Sequence, residues 1–227
     1  GTLADMVPLQ RENRILAHAG LRQLNRTKRP GILALAKAAG ITGQIGGFEV
    51  GFQIGPRLNA AGRLKSATAA MDLLREADAA VATELAEKLD RINRERQLAE
   101  KEITRQVIDT VRNRFNPETD YVIVEGDTGW HIGVVGIVAS RVMREFYRPA
   151  VIVGGSPDGD LRGSGRSVEG FDLAAALCKC EREGHLERAG GHAMAAGVSL
   201  QPKNLDAFRN RLNELAREQL TGKELMP

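Results

Sequence analysis

Apolar residues recur at helical spacing along much of this chain. The longest such stripe is Val81, Leu85, Leu89, Ile92, Ala99, Ile103, Val107 and Val111, in a run over 78–115 that contains no glycine or proline. Its other faces are densely charged. At 1.5 Å rise per residue the run predicts a helix of about 55 Å. That is longer than one compact domain needs, and the stripe is not a strict heptad. A linker helix between two lobes follows, with a solvated charged face and no site on it. Before it, Ile15, Leu16, Ala19 and Leu24 mark a helix over 10–25, decorated by Arg11, Arg14, Arg22 and Arg26. Pro30 opens and Gly40 closes a second helix. Residues 48–54 read as a short strand and 66–76 as a further short helix. The opening residues 1–9 read as a strand end and a loop.

After the long helix, the β-branched runs 121–125 and 150–153 predict strands. Residues 126–129 read as a turn, and 130–141 as an apolar, glycine-containing helix. Asp158-Gly159 reads as a hairpin turn, 171–180 as a helix, 198–200 as a short strand and 205–220 as a terminal amphipathic helix. The fold class is α/β, with boundaries at 1–77, 78–115 and 116–227.

A chain of 227 residues, 42% hydrophobic, can hold one large domain or two small ones with a real core. It has no apolar run long enough to span a bilayer, so no membrane role is expected and a soluble, cytoplasmic protein is. The net charge of +3 and a pI of about 9.0 suit a polyanionic partner. Aromatics make up only 4%, which argues against extensive base stacking. Cys178 and Cys180 have neither zinc nor disulfide-framework spacing and read as structural or surface thiols.

Four stretches carry candidate chemistry. Gly190-Gly191-His192-Ala193-Met194-Ala195-Ala196-Gly197 sets a histidine among glycines and small residues. This suits a ligand or phosphate contact approached closely by backbone, and equally a tight turn with a spectator histidine. Pro56-Arg57-Leu58-Asn59-Ala60-Ala61-Gly62-Arg63-Leu64 offers guanidinium forks that match phosphate oxygens, or an Arg-rich surface turn. It lacks the Gly-Lys-Ser/Thr ending of a P-loop. In Leu161-Arg162-Gly163-Ser164-Gly165-Arg166-Ser167 an extended backbone puts Ser164 and Arg166 on one face. That arrangement is a phosphate cradle or a polar edge strand. Trp130 and His131 stand at a helix entrance, where anions are favoured, or serve as packing and cap. Asp5, near the start, is a strand-end carboxylate, or a helix N-cap or turn aspartate.

These stretches, in their order along the chain, resemble the RecJ-type single-stranded-DNA exonucleases of the DHH phosphoesterase superfamily. The matching pieces are residues 1–9, 56–64, 129–141, 163–167 and 190–197, which span almost the whole chain. The resemblance implies the C-terminal end of a DHH catalytic lobe, a long connecting helix and a complete DHH-associated α/β lobe. It implies hydrolysis of phosphodiester bonds from the 5′ end of single strands, with two divalent ions, Mn²⁺ or Mg²⁺. Asp5 then matches a metal-ligating aspartate. Arg63, Ser164 and Arg166 match a 5′-phosphate pocket. His192 matches a catalytic, substrate-facing histidine approached over Gly190 and Gly191, and Asn59 and His131 match strand contacts. The implied partner is single-stranded DNA, with a helicase or single-strand-binding protein beside it, and the implied state is a monomer.

The chain also departs from the family pattern. No Asp-x-Asp motif stands before the connecting helix and the chain has no Asp-His-His motif, so one expected metal ligand stands alone. The reading is therefore of a fragment that grips the strand. The alternatives are an oligonucleotide or cyclic-dinucleotide phosphodiesterase of the same superfamily, or a non-catalytic nucleic-acid-binding lobe.

Overall fold

The computed structural model describes residues 2–64, 66–156 and 158–222; Gly1, the first residue of the opening motif, lies outside them. The chain divides into two compact units, Gly1–Gln97 and Leu98–Pro227.

The first unit is helical. It holds α1 (Arg11–Leu24), α2 (Pro30–Ala38), a π-helical segment (Glu49–Ile54), α3 (Gly55–Leu64), α4 (Thr68–Arg75) and the first part of α5 (Ala79–Arg114). Its core gathers Leu35, Ile54, Ala60, Leu73, Ala86 and Leu89. The guanidinium of Arg57 ties α3 to α5, donating to Asp90 Oδ1 at 2.9 Å and to the Gln53 carbonyl at 2.7 Å. In contrast, α1 buries no residue and leaves Ile15 and Leu16 exposed.

Two sequence expectations fail here for one reason. The alternating apolar residues of 48–54 suggest a strand, and the opening residues suggest a strand end. Among the described residues this unit holds no strand to pair with either. Backbone donors that cannot join a ladder must be satisfied locally. Residues 49–54 accordingly coil as a π-helix, which brings Phe48 and Phe52 to 5.1 Å between ring centroids. Thr2–Met6 form turns.

The second unit packs helices on a five-stranded sheet. Its elements are the remainder of α5, β1 (Ile123–His131), α6 (Ile132–Phe146), β2 (Ala150–Gly155), β3 (Leu161–Arg166), α7 (Leu173–Arg182), β4 (Arg188–His192), β5 (Ala195–Leu200) and α8 (Leu205–Leu220). The strand order is β1-β2-β3-β5-β4. β1 and β2 run parallel, joined through α6, and the other pairs are antiparallel. One sheet face builds the main core, in which Val124, Val151, Leu161 and Leu200 meet Leu173 of α7 and Phe208 of α8. The other face carries α6 over β2 and β3.

Residues 126–129 are strand, not turn, and α6 starts two residues later than the sequence suggests. The glycine that looked like a turn signal answers a packing need. A Cβ at Gly126 would fall 2.4 Å from Val153 Cγ2 and 3.2 Å from Leu205 Cδ2. The ladder shifts register only between Asp127 and His131.

Candidate nucleic-acid interface

The antiparallel ladders decide which side chains share a face. On β3, Leu161, Gly163 and Gly165 face the core, where a Cβ on Gly165 would meet Leu173 at 2.6 Å. Side chains alternate along a strand, so Arg162, Ser164 and Arg166 face the other way. The registers extend this set across two more strands. Arg166 stands opposite Ala195 and Ala195 opposite His192; Ser164 opposite Gly197 and Gly197 opposite Gly190; Arg162 opposite Ser199 and Ser199 opposite Arg188. Three rungs therefore cross β3, β5 and β4 on one face.

Only part of that face is covered. α6 lies against Ser164 and Arg166 at Gly136, where a Cβ would come within 3.2 Å of Ser164 Oγ and 3.5 Å of Arg166 Nη2. Both side chains are half-buried, whereas Arg162, Arg188, Gly190, His192 and Gly197 are exposed. One guanidinium nitrogen of Arg166 donates to the Gly165 carbonyl at 2.8 Å, which steadies the fork beside the Ser164 hydroxyl. The His192 side chain makes no hydrogen bond to the described residues. Neighbouring strands are about 4.8 Å apart, which puts Arg166 and His192, two strands apart on one rung, about 10 Å from each other. The arrangement can hold an anion at β3 and a second polar group at β4 over a bare glycine floor.

The two glycines before His192 differ. Gly191 has φ +148°, and a Cβ there would sit 2.5 Å from the Ala195 carbonyl oxygen and from Ala196 Cα, so the hairpin itself requires glycine. A Cβ on Gly190 would meet nothing within 4 Å. The fold leaves that position open, and the residue keeps the face flat.

The remaining candidates lie elsewhere. The segment 161–166 is an interior strand, which excludes the edge-strand reading. The stretch 190–197 is a β-hairpin whose strands flank Ala193 and Met194, so the tight turn feeds a strand. His131 caps α6, its Nδ1 accepting from the Gly133 amide at 3.0 Å, while its neighbour Trp130 donates from Nε1 to Gln106 Oε1 at 2.9 Å. Arg63 and Asn59 belong to α3 in the first unit, a helix where a turn was one reading. They are four residues apart, so they share its exposed side. Asp5 sits exposed in a turn, as one reading had it, and α1 takes Gln10 as its N-cap, so Asp5 is neither strand end nor helix cap.

Sequence reasoning did not single out Arg188, Ser199, Gly197 or Gly136. Parity along β3 was enough to find Arg162, but the others depend on the ladder registers. Among the described residues no three His, Cys, Asp or Glu side chains gather as a metal centre would require. Asp5 alone does not fit a two-metal donor set.

A βαβ unit extended by antiparallel strands, with a Ser-Arg pair and a Gly-Gly-His hairpin on one open face, defines a known class of domain. Residues 118–218 match the model of the DHHA1 domain family. Over its full length the chain is similar to RecJ proteins. It is 42% identical over 229 residues to the single-stranded-DNA-specific exonuclease RecJ of Bacillus subtilis, covering 100% of this chain and 29% of that protein. To RecJ of Escherichia coli it is 38% identical, covering 97% and 39%. The crystal structure of RecJ in complex with Mg²⁺ from Thermus thermophilus superposes with a TM-score of 0.82 at 36% identity, over 96% of this chain and 33% of that one. A crystal structure of exonuclease RecJ bound to manganese gives 0.83 at 35%, over 99% and 55%. The chain thus spans well under half the length of these curated relatives. Among its described residues no helix is long and apolar enough to cross a membrane.

Proposed function

We propose that this chain is the strand-gripping part of a single-stranded-DNA exonuclease that works from the 5′ end, as its RecJ relatives are named to act on single-stranded DNA. The observation that carries this reading is the open sheet face. There the Ser164 hydroxyl and the Arg166 fork stand one rung apart, with His192 and bare Gly190 across from them. A terminal phosphate suits the first pair, because a guanidinium and a hydroxyl can engage oxygens that a continuous strand does not offer. His192 is then placed for the neighbouring phosphodiester, and Gly190 lets the nucleotide between them lie close to the backbone. Arg63 and Asn59 supply further strand contacts, and His131 presents its other ring nitrogen at the entrance of α6.

In this reading residues 1–77 are the end of the DHH lobe, 78–115 the connecting helix and 116–227 the associated lobe. Divalent ions, Mn²⁺ or Mg²⁺, supply charge stabilisation at phosphorus when bound. Asp5 contributes one ligand and polypeptide outside this chain contributes the rest. The enzyme works in the cytoplasm as a monomer, on strands exposed by a helicase or held by a single-strand-binding protein.

The test is Ser164→Ala with Arg166→Ala in the full-length enzyme. Hydrogen bonds to charged groups are worth roughly 1.5–3 kcal/mol each. The double variant should therefore lose about 100- to 20,000-fold in affinity for 5′-phosphorylated ends, and little for unphosphorylated ones. Equal loss for both would point to general backbone binding. The chain 1–227 by itself should show no nuclease activity, and Mn²⁺-dependent digestion by it would overturn the assignment of the remaining ligands to polypeptide outside it.

A further inference from the structure

The third rung of the open face, Arg162–Ser199–Arg188, has no part in the pocket described above. Its registers are as regular as those of the first two rungs. Both arginines are exposed. Arg162 makes one surface ion pair, to Asp158 Oδ2 at 2.7 Å. The Arg188 side chain makes no hydrogen bond or ion pair to the described residues. The two guanidiniums and Ser199 line an open concavity of about 590 Å³, with Asp160 and Glu187 also in its wall, and its floor continues over Gly197 and Gly190 toward the second rung. Nothing in the fold requires two arginines flanking a serine there.

The charge pattern along the face has an end. Beyond the third rung come Asp160 and Glu187, both accepting from Gln201 Nε2, at 2.7 and 2.6 Å. A polyanion laid on the face meets positive or neutral groups over three rungs and then two carboxylates. Same-face rungs repeat every two residues, about 6.8 Å. That step is comparable to the spacing of phosphates along an extended single strand.

We propose that Arg162 and Arg188, with Ser199 between them, form a second anion subsite that takes an internal phosphate of the bound strand, and that Asp160 and Glu187 close the track beyond it. The proposal rests on the reading of this face as the strand-binding surface. It adds a length requirement: a dinucleotide fills the first two rungs, and only a longer strand reaches the third.

The experiment uses the full-length enzyme with EDTA present, so that nothing is cut. Affinity for 3′-labelled, 5′-phosphorylated oligothymidylates, from the dinucleotide upward, is measured by fluorescence anisotropy across a salt series. Arg162→Ala with Arg188→Ala should weaken binding of the longer strands about tenfold and leave the dinucleotide unchanged. It should also lower the slope of log affinity against log salt by about 0.7, the amount expected when one phosphate is no longer neutralised. Arg162→Lys with Arg188→Lys should restore the slope, since the charge is retained. Both residues are exposed, so the unfolding midpoint should not move. Equal loss for the dinucleotide and longer strands, or an unchanged salt slope, overturns the subsite. Ser164→Ala with Arg166→Ala is run in parallel. If that pair removes 5′-phosphate preference while the arginine pair changes nothing, only the second subsite fails. If neither pair alters binding, the reading of the whole face fails.

Discussion

Gly190 and Gly191 are the same residue type, adjacent on one strand, yet the structure gives them opposite duties. Alanine at 191 must adopt φ +148° and push a methyl to 2.5 Å from the Ala195 carbonyl oxygen and Ala196 Cα. Those are backbone atoms of the paired strand, which cannot yield without opening the hairpin. Backbone strain of this kind costs about 1–3 kcal/mol, and forced overpacking adds about 1–3 kcal/mol. Gly191→Ala should therefore destabilise by about 3 kcal/mol, which lowers the unfolding midpoint by about 6–12 °C in a chain of this size. Gly190→Ala places its methyl where no atom lies within 4 Å, at a backbone conformation open to any residue. Its stability should stay within about 0.5 kcal/mol of the parent.

Binding reverses the order of interest. The Gly190 methyl stands on the open face, directly opposite Gly197 and on the same rung as Ser164. If a strand lies on this floor, the methyl lifts it, and affinity should fall about tenfold, equivalent to about 1.4 kcal/mol. Gly190→Val should cost more. Denaturant unfolding and fluorescence anisotropy with 5′-phosphorylated single strands measure the two effects separately. The reasoning is refuted if Gly190→Ala is as destabilising as Gly191→Ala, or if Gly190→Val binds DNA like the parent.

Two further expectations concern groups away from this face. Burial pushes the Cys180 thiol up to about 11, with the Glu183 charge adding to the effect. At mildly alkaline pH, iodoacetamide should therefore modify the partly exposed Cys178 of the native protein and spare Cys180 until denaturant is added, which peptide mass mapping reads directly. Burial also raises Glu125 above its ordinary value of 4.5, with Arg114 and Arg209 opposing the shift. A carboxyl raised by folding binds more protons in the native state. Its contribution is fully present below the unfolded pKa and is lost as pH rises through the folded one. Glu125→Gln should thus flatten the decline in stability from about pH 4.5 upward, seen in urea unfolding at a series of pH values. An unchanged profile would show that the ion pair with Arg114 fully offsets burial.

What the sequence disclosed, and what it hid, follows from how far each feature depends on distant partners. The helix Leu205–Leu220 and the long α5 could be read almost to their ends, because a helix closes its hydrogen bonds within itself and its apolar stripe is local. The strand at 150–155 announced itself by a β-branched run buried on both faces. The misread segments depend on neighbours instead. Residues 48–54 alternate like a strand but have no strand beside them, and Gly126 imitates a turn because Val153 and Leu205 leave no room for a side chain. The site shows the same division. Strand parity alone joined Ser164 to Arg166, and a local motif marked His192. Their common face required β5 to insert between β3 and β4, an order in space that chain order does not contain. The Gly-Gly-His motif looked like a turn because glycine signals backbone freedom. Only the ladder separates the glycine the hairpin needs from the one that leaves space for a ligand. A motif of this kind marks where chemistry is located, but the third rung, made of residues whose types are ordinary in sequence, becomes visible only once the register has aligned Arg162, Ser199 and Arg188.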